Sequence, residues 1–222
     1  MKQIALDGPA GAGKSTIAKK LAQELQFVYI DTGAMYRTLA LACLKGNVDT
    51  SDEENVCRTA EKAELDIRYI DGVQHMFLDG EDVSSEIRTE EVSKAASDTS
   101  KYQGVRTRLV SLQQELAEKY DVVMDGRDIG TVVLPNADLK VFMTASVEVR
   151  ARRRYDEYIA KGQEADLEAI KNDIIQRDYN DTHRENSPLM KADDAVELDT
   201  SDMGIEEVTH AIMDMYNERQ KI

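Results

Sequence analysis

The sequence predicts an α/β fold in which a five-stranded parallel sheet is flanked by helices. Five short apolar runs carry that expectation: Ile4 to Leu6, Phe27 to Ile30, Val122 to Met124, Val141 to Met143 and Ala195 to Leu198, each separated from the next by stretches with helical spacing. Strands that alternate with helices build a parallel, doubly wound sheet. The second observation is the strand-to-helix junction at the start of the chain. The first run leads into Gly8-Pro9-Ala10-Gly11-Ala12-Gly13-Lys14-Ser15, and Ser15 to Leu25 then carries Ile17, Ala18, Leu21, Ala22 and Leu25 on one helical face. The third is that the strands end in polar clusters, Asp7-Gly8, Asp31-Thr32-Gly33 and Asp125-Gly126-Arg127-Asp128. Ligands of such sheets bind beyond the carboxyl ends of the strands, so these clusters are expected to converge above Lys14.

Two segments interrupt the alternation. Residues 66 to 80 read as strand, Asp71-Gly72 turn, strand and a second turn, a small hairpin insertion. Residues 146 to 187 are charged and helical, with Lys161-Gly162-Gln163 as the break between two helices and Pro188 limiting the second. The expected organisation is one unit, with its core at residues 1–62, 88–145 and 189–222. The insertion occupies about 63–87 and the helical pair about 146–188. In that pair Arg150, Arg152, Arg153 and Arg154 fall within five residues, and Arg177, Asp181 and Arg184 stand at i, i+4 and i+7. Such runs are often only solvated helix faces. Next to a phosphate loop they read instead as a mobile lid that closes and excludes water as a competing acceptor.

Phosphate chemistry is read from the loop itself. Gly8, Pro9, Ala10, Gly11, Ala12, Gly13, Lys14 and Ser15 match G-x-x-x-x-G-K-[ST], and Thr16 continues into the helix. Glycines let the backbone turn its N–H groups inward as an anion cradle, Lys14 reaches the β- and γ-phosphates of ATP, and the Ser15 hydroxyl ligates Mg²⁺.

Composition narrows the partner. The 222 residues carry 43 acidic and 28 basic side chains, a formal net charge of −15. That balance argues against a nucleic-acid polymer, whose binding depends on Lys and Arg neutralising phosphates. A small anionic substrate remains compatible where positive charge is local. Cys43 and Cys57 lack C-x-x-C spacing and read as reduced thiols, and no apolar stretch approaches membrane-spanning length. A cytoplasmic protein without a membrane partner, working as a monomer, is expected. His75, His183 and His210 are too scattered for a metal site. A GTPase is disfavoured because neither N-K-x-D nor D-x-x-G occurs. A small phosphotransferase remains, with UMP, shikimate or another small acceptor still open on these grounds, as is a nucleotide-binding regulator without turnover.

Three further strings carry a resemblance: Asp31-Thr32-Gly33-Ala34-Met35-Tyr36-Arg37, then Asp125-Gly126-Arg127-Asp128-Ile129-Gly130-Thr131-Val132-Val133, then Arg177-Asp178 with Asp181 and Arg184. Together with the glycine loop and the hairpin they resemble the bacterial cytidylate kinases over essentially the whole chain, although Thr32 stands where some members carry Ser. The resemblance implies transfer of a phosphoryl group from ATP, with Mg²⁺, to CMP or dCMP. It further implies that Lys14, Arg127, Arg152 and Arg154 supply cations to the transferred group, and that Arg37 and Arg127 hold the acceptor phosphate. Asp128 and Ser97 would face the cytosine amine and Arg106 its acceptor edge. Arg177 and Asp181 would reach the sugar hydroxyls, and Thr32, Tyr36, Asp125 and Arg184 would complete the acceptor side. The chemistry is apt, since the cytosine amine donates and a carboxylate accepts.

Overall fold

A computed structural model describes residues 1–221. In chain order the elements are β1 (Gln3–Asp7), α1 (Lys14–Leu25), β2 (Val28–Asp31), α2 (Thr32–Lys45), α3 (Glu53–Lys62), β3 (Leu65–Ile70), β4 (Val73–Leu78), β5 (Glu81–Asp82), α4 (Glu90–Thr99), α5 (Gln103–Lys119), β6 (Val122–Gly126), β7 (Leu139–Thr144), α6 (Val147–Ala160), α7 (Leu167–His183), β8 (Val196–Asp199) and α8 (Ile205–Arg219). All five apolar runs become strands of one parallel sheet, in the order β2-β6-β1-β7-β8. The chain divides into two compact units, one formed by Met1–Tyr29 with the chain from Tyr120 onward, the other by Ile30–Lys119. The second unit is wider than the hairpin segment at 63–87 and includes four helices.

In the first unit β1 is the central strand, and Ile4, Ala5 and Leu6 are wholly buried. Near-continuous apolar sequence is what a parallel strand covered on both faces requires. The β1 and α1 side chains Ile4, Leu6, Ile17 and Leu21 pack with Val141 and Met143 of β7 and with Ile212 and Tyr216 of α8. The register sets the site. Asp7 lies level with Gly126 of β6 and Phe142 of β7, so the glycine loop after β1 and Arg127 and Asp128 after β6 leave the sheet at one height. Past β6 the chain makes a one-turn π-helix, Ile129–Val133, a form common where function bends regular structure.

The helical pair α6 and α7 begins with side-chain caps. Ser146 accepts from the Val149 N–H, and Asp166 accepts from Glu168 and Ala169. Ala151, Ile170 and Ile174 form their small shared core. Helical spacing extends the second helix to residue 187, but α7 stops at His183. Arg184 is extended (φ −64°, ψ 143°), and the Leu189 N–H returns to the Asp181 carbonyl. That bond, donated from just beyond Pro188, satisfies an end-of-helix acceptor. Arg184 therefore follows the helix rather than riding its face with Arg177 and Asp181.

In the second unit the expected hairpin is present, with Asp71 and Gly72 both at positive φ, 52° and 76°. Positive φ at both centres is the two-residue turn that matches strand twist. A second such turn, Asp79-Gly80, adds the two-residue strand β5, which is too short to show any alternation in sequence. The hairpin is tied down at its base by Gln74, whose Oε1 accepts from the Asp31 N–H at 2.8 Å. Gly104 of α5 approaches α3 so closely that a Cβ there would lie 2.7 Å from the Cys57 sulfur and 3.1 Å from its Cβ.

Gly104→Ala is expected to destabilise the protein, since crowding costs about 1–3 kcal/mol and exceeds the gain from removing a helical glycine. Urea unfolding should show the loss to be about 1 kcal/mol smaller in a Cys57→Ala background. Equal losses in both backgrounds would show that the helices accommodate the methyl group elsewhere.

Candidate active site

The loop is built around glycine geometry. Gly8, Gly11 and Gly13 have φ of 145°, 77° and 86°, and a Cβ on Gly8 would sit 2.0 Å from the Met143 carbonyl oxygen. Gly13 precedes α1 and offers no side-chain cap, which leaves the first turn uncapped by side chains at the end of the helix where the dipole favours negative charge. Beside Gly13, among the described residues, nothing lies within 4 Å of where a Cβ would stand. Ser15 and Thr16 are exposed at the mouth of this turn.

Lys14 is 5% exposed, not a solvent-facing side chain as a loop position leads one to expect. Its Nζ donates to the carbonyls of Gly8 and Pro9, both at 2.7 Å. Burial, and then the like charge of Arg127, lower its pKa to about 7, while Asp125 and Asp7 oppose the shift. Arg127 in turn donates from Nε to Asp181 Oδ2 at 2.7 Å. Burial acts to lower the Arg127 pKa, but Asp181 outweighs it and the net direction is upward. Burial likewise acts to raise Asp181, and Arg127 carries it below the ordinary carboxylate value. Two cations thus share a small space and are kept tolerable by carboxylates.

Ser15 Oγ donates to Asp125 Oδ2 at 2.7 Å, and the Tyr29 hydroxyl donates to Asp125 Oδ1 at 2.8 Å. Tyr29 is a partner that the sequence hides, since it reads as one more apolar residue of a strand. A hydroxyl and a carboxylate side by side are hard oxygen donors of the kind Mg²⁺ takes, and they fit it with phosphate oxygens and water completing the shell.

The arginine cluster divides by helical geometry. Arg150 is 3% exposed and faces the loop: Nε donates to Ala145 O at 2.9 Å, Nη1 to Ala10 O at 2.9 Å, and its two terminal nitrogens to Asp178 at 3.1 and 2.6 Å. Arg153 donates to the Thr200 carbonyl at 2.6 Å. Arg154, one turn after Arg150, pairs with Asp173 at 2.8 Å, and Arg177 reaches the same carboxylate at 3.4 Å. Arg152 stands apart. Two residues from Arg150 puts it on another face of α6, where its 64%-exposed side chain pairs with Asp156. Asp128, buried, has Arg184 Nη2 3.7 Å from its Oδ1.

The remaining predicted residues belong to the second unit. Arg106 is 2% exposed, donates to the Ser100 carbonyl at 3.2 Å and lies over the Tyr36 ring at 5.6 Å. The Ser100 hydroxyl donates to the Ser97 carbonyl. Arg37 pairs with Asp31 at 3.1 Å, and Thr32 is buried at the start of α2. Thr32, Tyr36, Arg37, Ser97 and Arg106 thus come from α2, α4 and α5 of a single unit.

A glycine loop ending in a buried lysine at the carboxyl edge of a parallel sheet defines the class: this is a P-loop protein, built to hold phosphates. The family follows from comparison with known proteins. The cytidylate kinase family model matches residues 4–218, and the chain belongs to that family. It is 48% identical to the cytidylate kinase of Lactobacillus johnsonii over 221 residues, spanning 100% of this chain and 96% of that one. It is 53% identical to the cytidylate kinase of Bacillus thuringiensis over 210 residues, 95% and 93% of the two chains. Among solved structures, an uncharacterized protein from Eubacterium ventriosum shares the fold with a TM-score of 0.53 at 13% identity, over 98% of both chains.

The shifted Lys14 pKa gives a signed prediction. Between pH 7 and 10 the unfolded chain holds a proton on this lysine that the folded chain has lost, so stability rises with pH across that window. Asp7 works the other way: burial raises it to about 6, so its folded form holds the extra proton and stability falls as pH rises from 4 to 6. Urea midpoints of the wild type should rise from pH 7.5 to 9.5 relative to Lys14→Met. Parallel pH curves for the two proteins would remove the lysine from the account.

Proposed function

We propose that the protein transfers the γ-phosphoryl group of ATP to CMP and dCMP, releasing ADP with CDP or dCDP. The observation that carries this is the pairing of buried Lys14 with Arg127 beside the glycine loop, in a chain of the cytidylate kinase family. Phosphoryl transfer requires little covalent participation by the protein. It requires alignment, and cations around the three equatorial oxygens as charge develops on them. An oxygen of the acceptor phosphate attacks the γ-phosphorus in line, the bond to the bridging oxygen breaks, and ADP leaves with that electron pair.

Residues 8–16 hold the donor phosphates, and Lys14 leaves its two carbonyl partners for a phosphate oxygen. Mg²⁺, when bound, neutralises charge on the phosphates and is held by Ser15, with Asp125 beside it. Arg127, Arg152 and Arg154 stabilise the transferred group, Arg152 from the exposed face of α6, where it now pairs with Asp156. Arg37 and Arg127 bind the acceptor phosphate. Arg177 and Asp181 take the sugar hydroxyls, Thr32 and Tyr36 pack against the nucleotide, and Ser97 and Arg106 serve the base. Asp128, beside Arg184, accepts from the cytosine amine. Residues 146–188 act as the closing lid and 63–87 as the acceptor-side insertion.

A coupled ADP-release assay across CMP, dCMP, UMP and shikimate tests the acceptor, and preference for UMP or shikimate would overturn it. Lys14→Met keeps the aliphatic stem and should lower kcat by about 10²- to 10³-fold, the usual cost of removing one preorganised charge. Near-wild-type turnover would sink the P-loop assignment.

For Asp128→Asn, the ratio of kcat/KM for CMP over UMP should fall at least about tenfold, because the amide can donate to the uracil O4 that the carboxylate repels. A variant that lost rate on both acceptors and kept the wild-type ratio would show Asp128 to be structural.

A further inference from the structure

Asp7 is a buried carboxylate, 5% exposed, to which the transfer chemistry above gives no part. It ends β1 one residue before the glycine loop, yet its hydrogen bonds go to the chain after β6. Oδ1 accepts from the Ile129 N–H and Oδ2 from the Gly130 N–H, each at 2.7 Å. These are the first two residues of the π-turn whose preceding residue is Asp128. A carboxylate that spans two consecutive amides fixes the peptide plane between them and the direction in which the turn starts.

The turn is shaped to receive it. At Gly130 a Cβ would lie 3.3 Å from Asp7 Oδ2 and 3.1 Å from Lys140 Cδ, so a side chain there would push on the carboxylate or on the Lys140 stem behind it. From the other side the Asp128 carbonyl accepts from Val132 at 2.9 Å and Val133 at 3.2 Å, closing the turn. Asp128 itself takes φ −145° and ψ 27°, outside both helix and strand. That conformation persists because contacts on both sides of it determine it.

We infer that Asp7 is a positioning residue for acceptor selection: by gripping Ile129 and Gly130 it sets where the Asp128 carboxylate points, and so how well cytosine is told from uracil. The inference rests on the reading that Asp128 meets the acceptor base. It makes the strand that ends in the donor loop also the support of the residue that chooses the acceptor.

Asp7→Asn tests it. The amide keeps one acceptor oxygen and turns an N–H donor toward the other backbone N–H, so one of the two bonds is lost. The CMP over UMP ratio of kcat/KM should fall about fivefold, the worth of one buried hydrogen bond. The fall should come from a raised KM for CMP, with kcat at saturating CMP reduced less than KM is raised. Combined with Asp128→Asn, the double variant should show the ratio of Asp128→Asn alone, because Asp7 acts through that residue. Should Asp7→Asn fail to fold, Gly130→Ala disturbs the same contact without a charge change and should lower the ratio in the same way. A wild-type ratio in Asp7→Asn or in Gly130→Ala, alongside a shifted ratio in Asp128→Asn, overturns the inference and leaves the reading of Asp128 standing. A wild-type ratio in Asp128→Asn itself overturns that reading, and the inference with it. Additive losses in the double variant would show Asp7 acting by another route.

Discussion

The burial of Lys14 beside Arg127 is the constraint around which the phosphate loop and its neighbouring strand ends are arranged. Neither cation is placed where water can fully screen it, and Arg127 makes Lys14 harder to keep charged. The fold answers with carboxylates drawn from different parts of the chain: Asp7 from β1, Asp125 from β6 and Asp181 from α7. The placement of the first two follows from the register of a parallel sheet, which brings the ends of β1 and β6 to the same level. The balance is incomplete, since the lysine still loses most of its ordinary basicity. A phosphate group is the natural completion, because it adds negative charge where positive charge is crowded.

Much of the fold was legible because it depends on local signals. Five apolar runs became five strands, and the glycine string announced the turn into α1. Asp71-Gly72 announced its hairpin. What escaped depends on distant or very short features. β5 has two residues and no pattern. The end of α7 at His183 is set by a return hydrogen bond from Leu189, which no helical periodicity encodes. The boundaries of the second unit were equally hidden, because α2 to α5 join the hairpin segment through packing rather than through any change in composition.

The site divides in the same way. Residues fixed by motif spacing, Gly8 to Ser15, lie where the strand-to-helix reading puts them. The arginine run does not act as a block, because one helix cannot turn four near-consecutive side chains in one direction. Arg150 and Arg154 share a face while Arg152 turns to solvent, a distinction that i, i+4 counting does contain. Burial was the quantity that sequence could not supply. A lysine in a glycine loop reads as exposed, and Tyr29 in a strand reads as core. Both are instead polar partners within the site, Lys14 on the loop carbonyls and Tyr29 on Asp125.

Arg150 has a consequence that reaches past its own contacts. A peptide unit is rigid, with its carbonyl and the next amide hydrogen pointing in opposite directions. By drawing the Ala10 oxygen toward α6, the guanidinium turns the Gly11 amide hydrogen to the other side of the loop. A positive side chain thereby orients, through one intervening amide, a donor that the proposed function assigns to a phosphate. Loops that bind anions commonly lose affinity to the entropy of ordering themselves. Here the orientation is set by a buried side chain fastened to Asp178 and Ala145 before any anion arrives, so less of the binding energy goes into arranging the loop.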